Sequence, residues 1–298
     1  MRVTDEQLAN WTRPAFSNEE QRANDTEAAI RRAINNHTSL SRMNLRVLPK
    51  GSIKNNTNVR RDSDIDIAVI NMDYYAIEYT EGGLMGHAGL VPYIGITPLE
   101  YKAMVGDAIR KEFGSANVDG SGNRVFRVRG SASVMDADVI PSTQYCYVAP
   151  TWHRKGIALI LDRPDGKVHY NYPDHHFDNG VAKNNRTGRR YKRAVRILKN
   201  IENKLVADGV INPFPSFLIE CLAYNVPDNI FNMQTDWRTL INNMCVHFWS
   251  YLSSDNEPVS SLRWTEVNNH KFLFGPHQRW TKQEARTFTL QVYGMVTE

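Results

Sequence analysis

The chain has 298 residues, 41% of them apolar and 23% charged, which are ordinary values for a globular protein. Its net charge of +4 suits a nucleotide substrate but gives no strong indication of a nucleic-acid partner. No apolar run approaches the ~20 residues of a membrane span, and the polar N-terminal stretch does not predict a signal peptide. The three cysteines are scattered without metal-site spacing, which predicts buried free thiols and a reducing, cytoplasmic location.

The first predicted elements are a helix and a strand. Ser17-x-x-Glu20 is a capping box that opens a helix of roughly twenty residues. The run 45–48 is typical of a short strand, and it leads into a turn at 49–51.

The next stretch, residues 51–70, joins a small-residue turn to a strand that begins with two acids. Asp64 and Asp66 are two residues apart, so their carboxylates share one face of the strand. Such a pair is costly unless a cation neutralises it, and oxygen ligands without His or Cys favour Mg²⁺ or Mn²⁺. Gly51 permits close approach of a phosphate, to which Ser52 can donate hydrogen bonds. Solvated acids beside an ordinary turn are the alternative.

Residues 71–96 are rich in glycine and aromatic side chains, and we interpret them as a mobile insertion. Thr97-Pro-Leu-Glu100 predicts the start of a helix that ends at Gly114. The runs 125–129 and 133–140 predict paired strands closed by Pro141.

The second of these strands again carries two acids at a spacing of two, Asp136 and Asp138. Beside the first acidic strand, it would supply the third carboxylate of a two-metal site. Periodicity alone does not separate the two acids, because they share a face.

After about residue 165 the pattern becomes helical. A basic amphipathic helix is predicted from 187 to 209, with Lys199 beside its apolar stripe, where it either points into a cleft or lies along the surface. Ser216 lies near the start of the next helix, as an ordinary cap or as a phosphate contact. Further helices are predicted over 237–252 and after the Thr281-x-x-Glu284 capping box.

Several motifs in this order resemble one known family. They are Trp11-x-x-Pro14, Gly51-Ser-x-x-Asn-x-Thr-Asn-Val-Arg-x-x-Ser-Asp64-x-Asp66, Asp138-Val-Ile-Pro141, Asn179-Gly-Val-Ala-Lys-Asn184, Arg196-Ile-Leu-Lys199 and Pro215-Ser-Phe-Leu-Ile-Glu220. The chain resembles the bacterial CD-NTases, relatives of cyclic GMP-AMP synthase and the oligoadenylate synthases within the DNA polymerase β-like nucleotidyltransferases. The clade E branch is the most similar.

The resemblance implies an α+β fold with two parts. Residues 1–165 would form a polymerase β-like nucleotidyltransferase core with a mixed, twisted sheet. Residues 166–298 would form a helical lobe, with nucleotides bound in the cleft between the two.

The resemblance also assigns roles to residues. Asp64, Asp66 and Asp138 would hold two Mg²⁺, replaceable by Mn²⁺, and would be the catalytic acids; Asp138 is chosen over Asp136 on the family pattern Asp-Val-Ile-Pro. The expected triphosphate contacts are Gly51, Ser52, Lys199 and Ser216, with Lys183 and Asn184 at the mouth of the cleft. The base-contact candidates are Asn171, His175 and Asn179.

The activity implied is synthesis of a cyclic di- or oligonucleotide second messenger from NTPs, with release of pyrophosphate, in anti-phage signalling. The resemblance favours a uridine-containing product and implies an effector protein that the product activates. Some members are conjugated at the C-terminus by ubiquitin-like machinery, which the ending Met295-Val-Thr-Glu298 does not by itself indicate.

Two other functions stay open at this point. The first is transfer of a nucleotide to a tRNA, a protein or a small molecule such as an antibiotic, for which the mild charge gives little support. The second is a non-catalytic nucleotide- or RNA-sensing module, against which the intact set of three acids argues. The sequence contains neither a P-loop nor a zinc-hydrolase motif, which argues against those enzyme classes.

Overall fold

A computed structural model of the chain describes residues 2–14, 19–59, 64–79, 89–90, 95–149, 151–163, 168–233, 236–254, 262–276 and 278–297. Its helices are α1 (Asp5–Asn10), α2 (Glu19–Asn36), α3 (Gly51–Lys54), α4 (Pro98–Phe113), α5 (Pro173–Arg186), α6 (Arg190–Ala207), α7 (Ser216–Tyr224), α8 (Asp228–Asn232), α9 (Trp237–Leu252) and α10 (Lys282–Thr297). Its strands are β1 (Leu45–Lys50), β2 (Ile65–Tyr79), β3 (Gly89–Leu90), β4 (Val118–Asp119), β5 (Phe126–Val128), β6 (Ala137–Val148), β7 (His153–Leu159) and β8 (Tyr170–Asn171). The α+β class is confirmed.

The chain divides into two compact units, which we call the sheet unit and the helical unit. The sheet unit consists of Phe16–Lys54 and Asp62–Pro173, and the helical unit of Met1–Ala15, Asn55–Arg61 and Asp174–Glu298. This division differs from the expected boundary at 165/166, because two N-terminal segments belong with the C-terminal helices. The physical reason for the first segment is burial, since Val3 and Leu8 pack into the core of the helical unit.

The sheet unit contains a mixed sheet with the order β1-β2-β6-β5-β4. The two central strands, β2 and β6, are parallel, and the other described pairs are antiparallel. Helices α2 and α4 pack on one face and share an apolar core with the sheet, in which Ile30, Tyr101 and Ile109 are fully buried. This core fixes the central strands from which the acidic residues project.

Two strands are longer than the sequence predicts. Pro141 does not close β6, which continues to Val148, and the Pro141 carbonyl still accepts a hydrogen bond from Ile160. Proline lacks only the donor, so the strand passes through it and keeps its other contacts. Strand β2 continues to Tyr79 with an irregularity between Asn71 and Tyr75. The predicted insertion is therefore wrong over 71–79, and its parts at 80–88 and 91–94 lie outside the described residues.

The helix signals are largely confirmed. Thr97 and Glu100 form both hydrogen bonds of the capping box at α4, and Gly114 ends that helix at a φ of 82°. Thr281 and Glu284 form the corresponding bonds at α10. The apolar stripe of α6 is buried as predicted. Ser17, the predicted cap of α2, lies outside the described residues.

The three cysteines are free, and two of them follow the prediction. Cys221 and Cys245 are buried, whereas Cys146 is only partly buried in β6. Within the described part of the chain, none of the helices combines the length and the apolar character needed to cross a bilayer.

Candidate active site

The turn after β1 brings backbone against a carboxylate of β2. Gly51 has a φ of 77°, and a Cβ built on it would lie 2.2 Å from Oδ2 of Asp66. Only glycine fits this position without displacing Asp66, since it tolerates the left-handed conformation and has no Cβ. Ser52 follows within the short helix α3. The predicted juxtaposition of the Gly-Ser turn and the acidic strand is therefore present within the sheet unit.

Four charged side chains lie in register across four neighbouring strands. Asp66 pairs with Asp138 across the parallel strands β2 and β6, and Lys50 and Arg127 occupy the outer positions on β1 and β5. Neighbouring strands are about 4.8 Å apart, so the two acids lie side by side on one face. Lys50 Nζ lies 3.4 Å from Asp66 Oδ1, and Arg127 Nε lies 3.7 Å from Asp138 Oδ1. We call these four residues the charged row.

Asp64 and Asp136 lie immediately before the two central strands. The Asp136 carboxylate accepts a 2.6 Å hydrogen bond from the Gly130 N–H, and its carbonyl accepts one of 2.9 Å from the Ile65 N–H. These bonds tie Asp136 to the backbone. An open groove of about 220 Å³ is lined by three of the acids, namely Asp64, Asp136 and Asp138.

Burial and repulsion between the acids together outweigh the effect of the flanking cations on the carboxylate pKa values. Burial raises the pKa of Asp138, the neighbouring Asp66 raises it further, and Arg127 opposes the shift. Burial also raises the pKa of Asp64, with Asp136 and Asp66 adding to the effect. A bound cation would therefore stabilise the ionised form of both carboxylates.

The chemistry of these side chains fits a hard divalent cation. Asp64, Asp66 and Asp138 offer carboxylate oxygens alone, the donor type that Mg²⁺ prefers. No three His, Cys, Asp or Glu side chains in the described residues converge on one point as they stand. The carboxylates would have to rotate towards a shared ion, which partly exposed side chains can do.

The predicted lysine of α6 is buried in the helical unit. Lys199 Nζ lies 3.7 Å from Glu220 Oε2 on α7 and 3.4 Å from Thr57 Oγ1. His176 Nε2 on α5 contacts Glu220 Oε1 at 2.7 Å, and Thr57 donates to Oε2 at 2.8 Å. We call these four residues the Glu220 network.

The charges of this network depend on one another. Burial alone would raise the pKa of Glu220, but His176, Lys199 and Thr57 outweigh it and lower the pKa to about 2. Burial lowers the pKa of Lys199, and Glu220 only partly restores it. The carboxylate is therefore held ionised as the centre of the network.

Two expected contacts at the cleft mouth have structural partners instead. Lys183 is buried, and its ammonium donates to the Val226 carbonyl at 2.7 Å and to Asp228 at 2.9 Å. That placement corrects the expectation of an accessible Lys183. Asn184 accepts a 3.1 Å hydrogen bond from the Lys192 N–H and is partly exposed.

The remaining candidates are distributed over both units. Ser216 is the exposed first residue of α7, so its hydroxyl is available to a ligand. Asn171 lies in β8 of the sheet unit, paired with Ile157. In the helical unit, His175 contacts His270 at 3.1 Å, and Asn179 donates to the Val267 carbonyl at 2.9 Å. The last two side chains therefore already have protein partners.

Sequence reasoning missed several residues that surround these candidates. Lys50 directly precedes Gly51, and Arg127 alternates with buried residues of β5, so both signals were present in the pattern. His176 and Thr57 gave no such signal, because they meet Glu220 from 44 and 163 positions away in the chain.

Comparison with known proteins identifies the family. A family model described as the cGAS/DncV-like nucleotidyltransferase C-terminal helical domain matches residues 178–297. A cyclic dipyrimidine nucleotide synthase CdnE of Legionella pneumophila is 33% identical over 290 residues, which cover 96% of this chain and 95% of the relative. This chain belongs to the CD-NTase family. Another CD-NTase relative, the cyclic dipurine nucleotide synthase of Elizabethkingia meningoseptica, is 31% identical over 303 residues, covering 97% of this chain and 96% of the relative.

Solved CD-NTase structures support the same fold. The Elizabethkingia meningoseptica CdnE cyclic dinucleotide synthase, solved with GTP and Apcpp, matches with a TM-score of 0.80 and 28% identity over the full length of both chains. The Rhodothermus marinus CdnE c-UMP-AMP synthase, solved with Apcpp and Upnpp, matches with a TM-score of 0.78 and 26% identity, covering 97% of this chain and 95% of that one.

Proposed function

We propose that this protein synthesises a cyclic dinucleotide second messenger from nucleoside triphosphates and releases pyrophosphate. The observation that carries the proposal is the pair Asp66 and Asp138, held side by side on parallel strands in a chain that belongs to the CD-NTase family. In each step, a hydroxyl oxygen of the acceptor forms a bond to the α-phosphorus of the donor. The bond between the α-phosphorus and the bridging oxygen breaks, and pyrophosphate leaves.

The three aspartates would hold the divalent cations. Bound Mg²⁺ lowers the pKa of the attacking hydroxyl and stabilises the charge on the phosphoryl group. Asp64, Asp66 and Asp138 supply the oxygen ligands, and the flanking Lys50 and Arg127 balance part of their charge. The Gly51 turn gives a phosphate room beside Asp66, and the Ser52 hydroxyl is a donor next to it.

The helical unit offers further nucleotide contacts. We infer that Ser216 donates its exposed hydroxyl to the triphosphate. Lys199 is as buried as Lys183 and is paired with Glu220, so it would contact a phosphate only by leaving that pair. Asn184 is a weaker candidate for the same role, and buried Lys183 is left out of the proposal.

The decisive experiment incubates the purified protein with labelled NTPs and Mg²⁺ and identifies the products by mass spectrometry. A cyclic dinucleotide is expected, and chelation of the metal with EDTA should abolish it. A macromolecular transferase would yield no small cyclic product, and a sensing module would release no pyrophosphate.

Asp138→Asn and Asp136→Asn make a matched pair for the carboxylate assignment. We expect Asp138→Asn to leave less than about a tenth of the product, because charge stabilisation in such sites is typically worth tenfold or more. Asp136→Asn should remain active, since its amide oxygen still accepts from Gly130. Initial rates of pyrophosphate release measure both variants, and an active Asp138→Asn enzyme would refute the assignment.

Base choice is proposed to include uridine. The relatives differ, because dipyrimidine and dipurine synthases of similar identity to this chain are known alongside a cyclic UMP-AMP synthase. Asn171, in β8, is the candidate that the sheet unit contributes to base contact. Single-NTP and paired-NTP incubations test the proposal, and a purine-only product would contradict it.

The biological role proposed is anti-phage signalling. A cyclic messenger acts only through a receptor, so a product-activated effector protein is the expected partner. Conjugation of the C-terminus to a ubiquitin-like protein stays a weaker proposal.

A further inference from the structure

A cleft of about 300 Å³ lies wholly within the helical unit, and we call it the basic cleft. Its lining residues are Thr12, Arg13, Pro14, Asn56, Asn184, Arg189, Lys192, Arg193 and Arg196. Five of these nine side chains are basic and none is acidic. It contains none of the three aspartates and neither residue of the Gly51-Ser52 turn.

The chain is held in an unusual conformation at two edges of the basic cleft. Asn56 and Arg189 have φ values of 54° and 63°, and they are two of three non-glycine residues with positive φ in the described chain. The Arg189 N–H donates to the Asn184 carbonyl at 2.7 Å, which fixes the turn between α5 and α6. This turn places Arg189 beside the basic residues of the first turns of α6.

Arg196 is fixed by neutral groups rather than by an acid. Its guanidinium donates to the Thr12 carbonyl at 2.6 and 2.8 Å and to the Asn56 carbonyl at 2.6 Å. Burial lowers the pKa of Arg196 to about 10, and the neighbouring Arg193 contributes to the shift. The positive charge of Arg196 is thus held in place but is not neutralised by these partners.

Lys192 is the least satisfied member of the basic cleft. The residue is 9% exposed, and within the described residues its ammonium has no hydrogen bond or ion pair. Its ammonium lies 5.8 Å from the centre of the Phe177 ring. Burial lowers the pKa of Lys192, and the charge of Glu220, which lies beyond ion-pair distance, opposes that shift only in part. Arg13, Arg189, Arg193 and Arg196 likewise form no ion pair with a described acid. Lys192 and Arg196 are buried, whereas Arg13, Arg189 and Arg193 are exposed at the cleft. A buried cation without an acidic partner is costly, so an anion in the cleft would stabilise the buried pair and would also be within reach of the exposed arginines.

We propose that the basic cleft binds a small polyanion that carries phosphate groups. Arginine forks and a lysine ammonium are the donors that phosphate oxygens prefer. The volume is at the lower end for small-molecule pockets, so a compact phosphate chain fits it better than a nucleic-acid duplex. The cleft shares Asn184, the weaker triphosphate candidate, with the proposed nucleotide site, but it requires none of the metal-binding acids. Binding in EDTA therefore tests this proposal separately from the catalytic one.

Calorimetric titration of the full chain with inorganic tripolyphosphate tests the proposal, with EDTA present to remove any metal-dependent binding. The wild type should bind, and the double variant Lys192→Gln/Arg193→Gln should bind at least tenfold more weakly. Arg279→Gln removes one exposed charge elsewhere in the same unit and should bind like the wild type. Unchanged affinity in the double variant, or no wild-type binding, would overturn the proposal.

Further experiments test whether the double variant folds and which kind of phosphate ligand the cleft prefers. Circular dichroism and urea unfolding check the double variant, and Arg189→Gln provides a second, exposed variant that should also weaken binding. Equal affinity for tripolyphosphate and ATP would indicate a phosphate chain as the ligand, and tighter ATP binding would indicate a nucleotide. RNA binding without tripolyphosphate binding would refute the small-ligand proposal. Asp138→Asn should leave the titration unchanged, whatever its effect on catalysis.

Discussion

At the scale of single residues, the candidate active site depends on what surrounds the two central carboxylates. Gly51 presents backbone to Asp66, while Lys50 and Arg127 each reach one acid from outside. The pKa of Asp138 stays raised despite these cations, because burial and Asp66 act more strongly. The arrangement keeps negative charge where a divalent cation can be held.

Gly51→Ala should disrupt this arrangement more than a comparable glycine substitution elsewhere. The added methyl group would collide with Asp66 Oδ2, so we expect the variant to lose most nucleotidyl transfer and the Mg²⁺-dependent rise in melting temperature. Gly209→Ala is the control, because Gly209 has a φ of 71° and open space around it. That control should lose about 1–2 kcal/mol of stability from the left-handed backbone but keep its activity. Equal activity losses in the two variants would show that the contact with Asp66 is unimportant.

At the scale of elements, each cluster results from a particular packing of strands or helices. The parallel register of β2 and β6 places Asp66 beside Asp138. Helices α5, α6 and α7 supply His176, Lys199 and Glu220, whose polar atoms meet inside the helical unit. Glu220 contacts His176 and Lys199 on two other helices and accepts a hydrogen bond from Thr57, so it ties this part of the unit together.

Glu220→Gln should destabilise the protein strongly at neutral pH. Removing one charge from a buried pair costs about 3–5 kcal/mol, because it leaves the cationic partners uncompensated. The pKa of Glu220 is lowered to about 2 from 4.5, so the stability it contributes is complete above pH 4.5. That contribution is lost as the pH falls from 4.5 towards 2.

Urea unfolding of wild type and Glu220→Gln between pH 7 and pH 3.5 measures this effect, and the difference between them should shrink below pH 4.5. The exposed Glu6→Gln in the same unit should change stability by no more than about 0.5 kcal/mol. A difference that stays constant across this pH range would contradict the assignment of an ionised Glu220.

Local sequence patterns predicted which helices and strands form better than they predicted where these elements end. The capping box at Thr97 and the stripe of α6 predicted two helices, because both signals lie within the segment itself. The continuation of β6 past Pro141 was not predicted, since it depends on β7 pairing alongside it. The register of the charged row was likewise beyond the sequence, although Asp-x-Asp at two positions indicated the face.

At the scale of the whole molecule, each of the two units contains a large apolar core of its own in the described part of the chain. One lies between the sheet and helices α2 and α4, and the other lies among the helices of the helical unit. The N-terminal segment contributes to the second core, and Val3 is fixed there by backbone bonding to Met295 at 3.1 Å.

The raised pKa of Asp138 predicts that this carboxylate, which the proposed metal site needs, lowers the stability of the folded protein. Because the pKa of Asp138 is raised in the folded protein, its ionised form disfavours folding at neutral pH. Asp138→Asn should therefore melt at a higher temperature than the wild type at pH 7 in EDTA. The gain should disappear as the pH falls below the ordinary aspartate pKa, where both states are protonated.

Differential scanning calorimetry at pH 7 and at pH 3.5 measures the two melting temperatures. Asp136→Asn serves as the control, because Asp136 lies outside the charged row and its side chain is bonded to the Gly130 N–H. A lower melting temperature for Asp138→Asn at pH 7 in EDTA would contradict the repulsion inferred here.

The sequence by itself determined the main helices and the two segments that carry paired acids, because these depend on periodicity, caps and short motifs within single segments. The family resemblance supplied the α+β class and the choice of Asp138 over Asp136. Only the tertiary structure decided that Asp66 pairs with Asp138 in register, that Lys183 is buried against Asp228 and that the first residues join the helical unit. Those outcomes depend on contacts between residues far apart in the chain, and such contacts are fixed by burial and strand pairing rather than by neighbouring sequence.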